Sequence, residues 1–276
     1  MNHRPIILDA CTIINLLRID ENELLYKQIQ TLNIKIAECV YNEVINNIFK
    51  NNISNNDRVR IKQQLPVLRQ YITSDKDIKK DIGTNEFELL KQTTKHSAEN
   101  GELYSLFLSL ILSRSLSTQS NFYTDDKPAK ERFEPYFMLQ QLGLFGDTAD
   151  LILFLYWYSS NISEHDLKRI LDNLKSEYNR MLKNFVVELE NKRSKTASNR
   201  RNKKLNQILD KIINGFYNGD RDIMQKEFEN LIFISDKEIK QIIKKYNPDI
   251  FKTSHIIDKI DQIQSLLVKH KIFKIA

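Results

Sequence analysis

The chain has 276 residues, enough for one large or two modest domains with a sizeable buried core. Hydrophobic residues make up 41% of it and charged residues 28%, with only 6 glycines and 5 prolines, a composition that favours a helix-rich globular protein. No apolar stretch of about 18 residues and no charged-then-apolar leader occurs, so we predict neither a membrane span nor a signal peptide and expect a cytoplasmic protein. Two cysteines, Cys11 and Cys39, are too few for a disulfide framework or a cysteine-rich zinc site.

The net charge of +6 is unevenly distributed along the chain. Residues 1–160 carry 18 Lys and Arg against 20 Asp and Glu, net −2, whereas residues 161–276 carry 24 against 16, net +8. Carboxylates for a metal ion and cations for phosphates are what a metal-dependent nuclease needs. Well-solvated lysine-rich helices are the simpler explanation of the same charges.

The first apolar run, Ile6–Leu8, ends on the carboxylate of Asp9. Successive apolar residues suit a strand buried on both faces, as in a parallel sheet, and Ile13, Leu16 and Leu17 then recur at helical spacing. Asp9 is therefore predicted at the carboxyl end of a central strand, where open α/β sheets place their chemistry. An ordinary cap of the following helix explains the same residue equally well.

A second strand is predicted at residues 34–37, and Glu43 falls in the first turns of the helix that leaves it. Taken alone, Glu43 is more simply a surface residue favoured near a helix N-terminus. A long polar helix follows at about 56–71, interrupted or kinked near Pro66. Residues 73–94 are charged and only intermittently apolar, so we expect them to depart from the core.

A strongly apolar helix begins at Gly101, with Glu102 in its first turn. The short strand at residues 121–124 then ends on Asp125 and Asp126, and a further helix begins at once. Asp126 could be the N-cap of that helix. Two adjacent carboxylates, however, are disfavoured without a nearby countercharge.

A last strand at about 142–147 and an apolar helix at 151–158 complete the predicted α/β region. Beyond residue 160 the strand patterns fade, so we predict an α/β domain over residues 1–160 and a basic helical region over 161–276. The predicted helices of that region lie at about 164–190, 203–217, 221–231, 236–246 and 255–271.

One segment of the helical region, residues 192–204, has seven cations among thirteen residues and no anion. We expect a mobile loop that neutralises phosphates without stacking on bases. The candidate nucleic-acid-binding residues are Lys192, Arg193, Lys195, Arg200, Arg201, Lys203 and Lys204.

The acidic residues singled out above come from four βα-type units: Asp9, Glu43, Glu102 and the pair Asp125–Asp126. The carboxyl ends of parallel strands share one sheet edge, so acids placed there can converge. Converging carboxylates need a cation, and hard oxygen ligands select Mg²⁺ or Mn²⁺. An α/β domain with unrelated strand-end acids is the alternative.

In order and spacing these segments resemble the PIN-domain ribonucleases, over roughly residues 5–160. The resemblance implies a PIN-like parallel sheet flanked by helices, an Mg²⁺ or Mn²⁺ site, and RNA cleavage that leaves a 5′-phosphate and a 3′-hydroxyl. We expect Asp9 and Asp126 to hold the ion, with Glu102 as a direct or water-mediated ligand. Glu43 is expected to orient the attacking water or a second ion. Asp125 competes with Asp126 for its role, with Asp126 the better match to the family's Thr-x-Asp, and Asp147 is a weaker candidate.

The chain also departs from the family pattern. Cys11 stands where the family often has a small hydroxyl residue, so a hydrogen bond behind Asp9 is either missing or supplied by Thr12. The insertion between Glu43 and Glu102 is longer than in the family's small toxins, and the helical region after residue 160 has no counterpart in the smallest members.

The expected function is a metal-dependent endoribonuclease, in the setting of a toxin–antitoxin or phage-defence locus. The expected partners are RNA and a cognate inhibitor or antitoxin protein, with a homo-oligomer left open and no membrane. The alternative is a catalytically inactive PIN-like scaffold that binds RNA or protein through its basic helices.

Overall fold

The computed structural model describes residues 4–50, 53–197, 202–246 and 254–269. The chain forms two compact units: the first runs to Leu174 and resumes at Lys259, and the second covers Lys175–Asp258. The sequence places the division at residue 160. The first unit is thus longer than predicted, and it also includes the described residues from Lys259 onward.

The first unit is built on a parallel β-sheet, as expected from the fully apolar run Ile6–Leu8. Its strands are β1 (Ile6–Leu8), β2 (Ile34–Ala37), β3 (Ile72–Thr73), β4 (Ser120–Tyr123) and β5 (Gly143–Gly146). The described residues give five strands in the order β3-β2-β1-β4-β5, all parallel. The predicted α/β class is therefore confirmed.

Helices flank both the inner and the outer strands. They are α1 (Ala10–Ile19), α2 (Leu24–Ile29), α3 (Glu38–Asn47), α4 (Asn55–Leu68), α5 (Asp75–Ile82), α6 (Thr84–Thr93), α7 (Gly101–Leu116), α8 (Lys127–Leu139) and α9 (Thr148–Tyr158). The α4 helix continues through Pro66 to Leu68, and a 3₁₀ turn over Arg69–Tyr71 joins it to β3.

Residues 73–94 were predicted to depart from the core, and this prediction is wrong. The segment forms α5 and α6, and Ile78 and Phe87 are almost completely buried. The Phe87 ring packs against Phe107 of α7 with 4.5 Å between ring centroids. Few apolar residues are enough to bury this segment, because those it has, Ile78 and Phe87 among them, reach the buried α7 helix.

The centre of the sheet is a topological switch point. The chain leaves β1 towards β2 and β3, and then returns on the other side of β1 to form β4 and β5. Open α/β sheets bind ligands at the carboxyl ends of the two strands that flank such a point. Because Leu8 pairs with Tyr123, Asp9 and Thr124 follow side by side at this edge.

The rest of the described chain is helical, as predicted. Its helices are α10 (Glu164–Thr196), α11 (Lys203–Asn218), α12 (Arg221–Ile232), α13 (Lys237–Tyr246) and α14 (Ser254–Val268). In the second unit, Phe185, Leu209, Ile212 and Leu231 form part of a separate apolar core. Among the helices that the structure describes, none combines the length and the apolar character needed to cross a bilayer.

Candidate active site

Asp9 lies directly after β1 and is almost completely buried, with 6% of its surface exposed. Within the described residues its side chain makes no capping hydrogen bond to α1, so the helix-cap explanation does not account for it. Instead, Oδ2 accepts hydrogen bonds from Thr124 Oγ1 at 2.7 Å and from Cys11 Sγ at 3.2 Å. Burial raises the pKa of Asp9, and these hydrogen bonds only partly offset the effect.

Cys11 takes the position behind Asp9 that sequence analysis left uncertain. Burial, together with the charge of Asp9, raises the pKa of the Cys11 thiol, so the thiol keeps its proton and can donate it to Asp9. The sulfur also accepts the Asp125 backbone N–H at 3.2 Å. Thr12, the other candidate, donates instead to the Tyr123 carbonyl at 3.1 Å. The hydrogen bond behind Asp9 is therefore supplied by the thiol and not by Thr12.

Asp126 follows β4 and begins α8. Its backbone N–H donates to Thr124 Oγ1 at 3.2 Å, and its Oδ1 caps the helix by accepting from the Ala129 N–H at 3.2 Å. The Thr124 hydroxyl thus connects Asp126 to Asp9. No role is predicted for this hydroxyl from the sequence, although its place before two strand-end acids was the available signal.

Asp125 has a different environment from its neighbour. It is buried, and its oxygens accept hydrogen bonds from Asn15 Nδ2 at 2.7 Å, Thr148 Oγ1 at 2.7 Å and the Thr148 backbone N–H at 2.8 Å. These contacts join the middle of α1, the segment after β4 and the start of α9. The structure therefore places Asp125 as a structural tie and leaves Asp126 as the strand-end acid beside Glu102.

Glu102 lies in the first turn of α7, which Asn100 caps by accepting the Leu103 N–H at 3.3 Å. Burial, the charges of Asp9 and Asp126 and a hydrogen bond with the Asp126 side chain raise the pKa of Glu102 to about 7. Two carboxyl groups that share a hydrogen bond need one proton between them. Glu102 therefore carries that proton below about neutral pH.

Arg132 of α8 lies near Glu102. Its charge partly offsets these effects by lowering the pKa of Glu102. Its guanidinium also contacts Nδ1 of His96, whose Nε2 lies 2.9 Å from Asn100 Oδ1. Because a guanidinium only donates, Nδ1 accepts and Nε2 carries the ring proton. Arg132 is thereby linked to the residue that caps α7. No sequence signal pointed to Arg132.

Glu43 lies on α3 and faces Asp9 across the start of α7. Partial desolvation and the charge of Asp9 raise the pKa of Glu43, although much of the side chain is exposed. A Cβ added to Gly101 would lie 3.6 Å from both Asp9 Oδ1 and Glu43 Oε2, and only 2.8 Å from Val40 Cγ2. Glycine is thus required where α7 approaches the two carboxylates.

Asp147 is not part of this group. It caps α9 through the Asp150 N–H at 3.0 Å and forms an ion pair with Lys259, which also contacts Asp150 at 2.8 Å. Burial raises the pKa of Asp147, and the charge of Lys259 offsets this effect in part.

The described residues of the basic segment are largely helical and not a loop: residues 192–196 end α10, and α11 begins at Lys203. Lys192 pairs with Asp236 at 2.8 Å, Arg193 with Asp210 at 2.7 Å and Lys195 with Glu238 at 2.8 Å. Lys203 and Lys204 are exposed. Arg200 and Arg201 lie outside the described residues.

The chemistry of the donor set fits a divalent cation. Asp9, Glu43, Glu102 and Asp126 offer hard oxygen atoms at one sheet edge, and the first three have raised pKa values because burial and mutual repulsion disfavour ionisation. Among the described residues, however, no three acidic, histidine or cysteine side chains are arranged as a formed metal site. A bound ion would have to replace the proton that the raised pKa of Glu102 favours.

Comparisons of this chain with protein-family models, with curated proteins and with solved structures found no match.

Proposed function

We propose that this protein is a metal-dependent endoribonuclease of the PIN type, with Mg²⁺ or Mn²⁺ as cofactor. One observation carries the proposal: the Thr124 hydroxyl donates to Asp9 and accepts the Asp126 N–H, so that these two acids lie together at one sheet edge, where their charges raise the pKa of Glu102. These groups lie at the carboxyl edge of the two strands that flank the switch point, the usual ligand site of open α/β sheets.

Each residue has a defined task in the proposed reaction. Asp9 and Asp126 would hold the ion with Glu102 as a further ligand, while Thr124 and Cys11 keep Asp9 in one orientation. When bound, such an ion lowers the pKa of a coordinated water and stabilises charge on the phosphodiester. Glu43 would orient the attacking water from the opposite side of Gly101.

The proposed hydrolysis adds one water across one bond. The water oxygen forms a bond to phosphorus while the bond from phosphorus to O3′ breaks. One proton of the water ends on O3′, which leaves a 3′-hydroxyl and a 5′-phosphate. Arg132 lies beside Glu102, where a guanidinium can bind a phosphate oxygen.

The proposed biological setting is a toxin of a toxin–antitoxin or phage-defence system that acts in the cytoplasm. RNA would be the substrate and an acidic protein the inhibitor. The exposed Lys203 and Lys204 support a contact with phosphates from the second unit.

The test combines cleavage with metal linkage. We expect a panel of RNAs to be cut by the wild-type protein in Mn²⁺ but not in EDTA, and Asp9→Asn to be inactive. Mn²⁺ should also raise the melting temperature of the wild type, because a ligand that binds the folded state stabilises it. Asp9→Asn should lose that rise, whereas Asp77→Asn, an exposed acid on α5, should keep it.

The alternative, an inactive scaffold, predicts a different result. RNA would bind but stay intact in Mn²⁺, and wild type and Asp9→Asn would bind it equally. Equal melting temperatures with and without Mn²⁺ in both proteins would reject the metal site.

A further inference from the structure

Arg132, an exposed residue of α8, is anchored on a neutral group and not on an acid. Its guanidinium donates to Nδ1 of His96, and within the residues that the structure describes it forms no ion pair. By contrast, the guanidinium of Arg114, at the other end of α7 from the carboxylates, pairs with Glu86 at 2.6 Å. A neutral anchor does not cancel the charge of Arg132, so this guanidinium can still bind an anion.

The His96 ring is itself fixed in one orientation. It is 7% exposed, and both of its nitrogens are occupied: Nδ1 accepts from Arg132, and Nε2 donates to Asn100 Oδ1 at 2.9 Å. The buried ring of Phe133 supports both partners, with its centroid 5.3 Å from that of the imidazole and 5.9 Å from Cζ of Arg132. A buried ring held at both nitrogens gives the guanidinium a defined position.

Asn100 connects the His96–Arg132 pair to the candidate active site. Its side chain caps α7, and the next residue, Gly101, lies where an added Cβ would be 3.6 Å from Asp9 Oδ1. The contacts from Arg132 through His96 to Asn100 therefore place the guanidinium at the start of α7, where the carboxylates converge.

The hydrogen bond to His96 uses only part of the Arg132 guanidinium. Nη1 makes this contact, and among the described residues neither Nε nor Nη2 has a hydrogen-bond partner. These two nitrogens form one edge of the guanidinium fork, and such an edge binds two phosphate oxygens in a bidentate manner. The arginine is thus held by one nitrogen while its phosphate-binding edge stays available.

We propose that Arg132 binds a backbone phosphate of RNA at the edge of the carboxylate site, and that His96 is the positioning residue that holds its guanidinium there. This deepens the proposed nuclease function, and it rests on that function for the view that the phosphate lies next to the bond that is cut. A contact to phosphate carries no base information, so it adds affinity at the site without sequence preference. A histidine that only fills space in the core is the competing explanation.

Two replacements of His96 separate the tasks of its two nitrogens. In His96→Asn the side-chain oxygen takes the place of Nδ1 and can accept from Arg132, whereas in His96→Gln the amide reaches the place of Nε2 and can only donate to Asn100. The measurement is the dissociation constant of a fluorescently labelled single-stranded RNA for the full chain in Ca²⁺. Arg132→Ala and His96→Gln should each weaken binding about 10-fold, whereas His96→Asn should bind nearly as well as the wild type.

A double variant shows whether the two residues act as one unit. If His96 acts through Arg132, the variant with both His96→Gln and Arg132→Ala should bind RNA as weakly as Arg132→Ala alone. A histidine with a separate role would add its own loss. Arg114→Ala is the matched control and should bind like the wild type, because that charge is already paired with Glu86. Arg132 is exposed, so Arg132→Ala also protects the test against misfolding of the histidine variants.

Cleavage of the same RNA in Mn²⁺ separates this inference from the proposed function. Cleavage by the wild type, with unchanged RNA affinity in Arg132→Ala and His96→Gln, would overturn the inference and leave the nuclease function standing. The predicted pattern of affinities without any cleavage would reject the nuclease function and keep the phosphate contact. Equal losses in His96→Asn and His96→Gln, or additive losses in the double variant, would overturn the positioning role of His96. An absence of RNA binding by the wild type would overturn both proposals.

Discussion

The Thr124 hydroxyl donates a 2.7 Å hydrogen bond to Oδ2 of Asp9, although the two residues are 115 positions apart in the chain. The hydroxyl oxygen of Thr124 also accepts the backbone N–H of Asp126 at 3.2 Å. This pairing follows from the register of β1 and β4, in which Leu8 lies beside Tyr123. The Thr124 side chain thereby joins the carboxylate of Asp9, after β1, to the backbone of Asp126, after β4.

Removing this hydroxyl should affect both stability and metal binding. In Thr124→Val the side chain keeps its shape, but Asp9 loses a donor and the Asp126 N–H loses its acceptor. We expect the free energy of unfolding to fall by about 1–3 kcal/mol. Mn²⁺ affinity should fall about 10–100-fold, as is usual when a hydrogen-bond partner of a metal ligand is removed. Denaturant unfolding and calorimetric titration measure the two effects, and Thr124→Ser, which keeps the hydroxyl, is the control. Equal Mn²⁺ affinity of the Val and Ser variants would contradict the role given to the hydroxyl.

Glu102 predicts an unusual dependence of stability on pH. Its pKa in the folded protein is about 7, above the ordinary value of 4.5, so the folded state binds this proton more tightly than the unfolded state. Stability in EDTA should therefore fall as pH rises from about 4.5 through 7. The change is at most about 3.5 kcal/mol, since one pKa unit corresponds to about 1.4 kcal/mol.

Urea unfolding between pH 4.5 and 8.5 checks this dependence. Glu102→Gln should flatten much of the slope, whereas Glu131→Gln, an exposed residue of α8, should not. With Mn²⁺ present the trend should reverse, because the ion competes with the proton. An unchanged slope in Glu102→Gln would assign the pH dependence to other groups.

Asp125 and Asp126 provide a matched pair of substitutions. Asp125→Asn places an amide where Asn15 and Thr148 donate, so we expect a loss of about 2–4 kcal/mol in the free energy of unfolding, with or without Mn²⁺. Asp126→Asn keeps the cap of α8, since asparagine is an equally good N-cap, and relieves repulsion with Glu102. It should leave the metal-free protein as stable as the wild type or more so, and abolish stabilisation by Mn²⁺. The reverse pattern would exchange the roles of the two residues.

The positions of the strands and of most helices were predictable because their apolar periodicity is local. The strands β1, β2, β4 and β5 and the five helices after residue 160 lie within a few residues of their predicted bounds. The two-residue strand β3 was missed, since so short a segment carries no pattern and forms by pairing with β2.

The candidate site shows a sharper limit. Sequence pattern indicated which acids follow strands, but not which way each side chain turns. The contacts of Asp125 with Asn15 and Thr148, and the cap of α8 by Asp126, distinguish the two residues only in the folded structure. Likewise, Arg132 reaches Glu102 through the packing of α8, which no spacing in the sequence reveals.

Glu43 should matter for turnover more than for binding. If it orients the attacking water, Glu43→Gln removes an interaction made chiefly in the transition state. We expect cleavage of saturating RNA to slow by about 100-fold or more, with an unchanged dissociation constant for RNA measured in Ca²⁺ or EDTA. Glu38→Gln, at the start of the same helix, is the control. Wild-type turnover in Glu43→Gln would make this residue an ordinary surface glutamate.

The basic segment separates two kinds of cation, and this allows its role to be tested. Lys203 and Lys204 are exposed, whereas Arg193 forms a bidentate pair with Asp210 at 2.7 and 3.1 Å. Replacing both lysines with Ser should weaken RNA binding. It should also flatten the salt dependence by about 0.7 unit of logarithmic slope for each phosphate of single-stranded RNA that the variant no longer neutralises. Arg193→Ser should leave the slope nearly unchanged, because that charge is already neutralised by Asp210.

Adding Arg200→Ser and Arg201→Ser to the lysine pair should lower the slope further, while cleavage of saturating RNA survives in all variants. A constant salt dependence of RNA binding, together with lost binding of an acidic inhibitor protein, would make these cations a protein-docking surface. Their charge would then complement an acidic protein and not RNA phosphates.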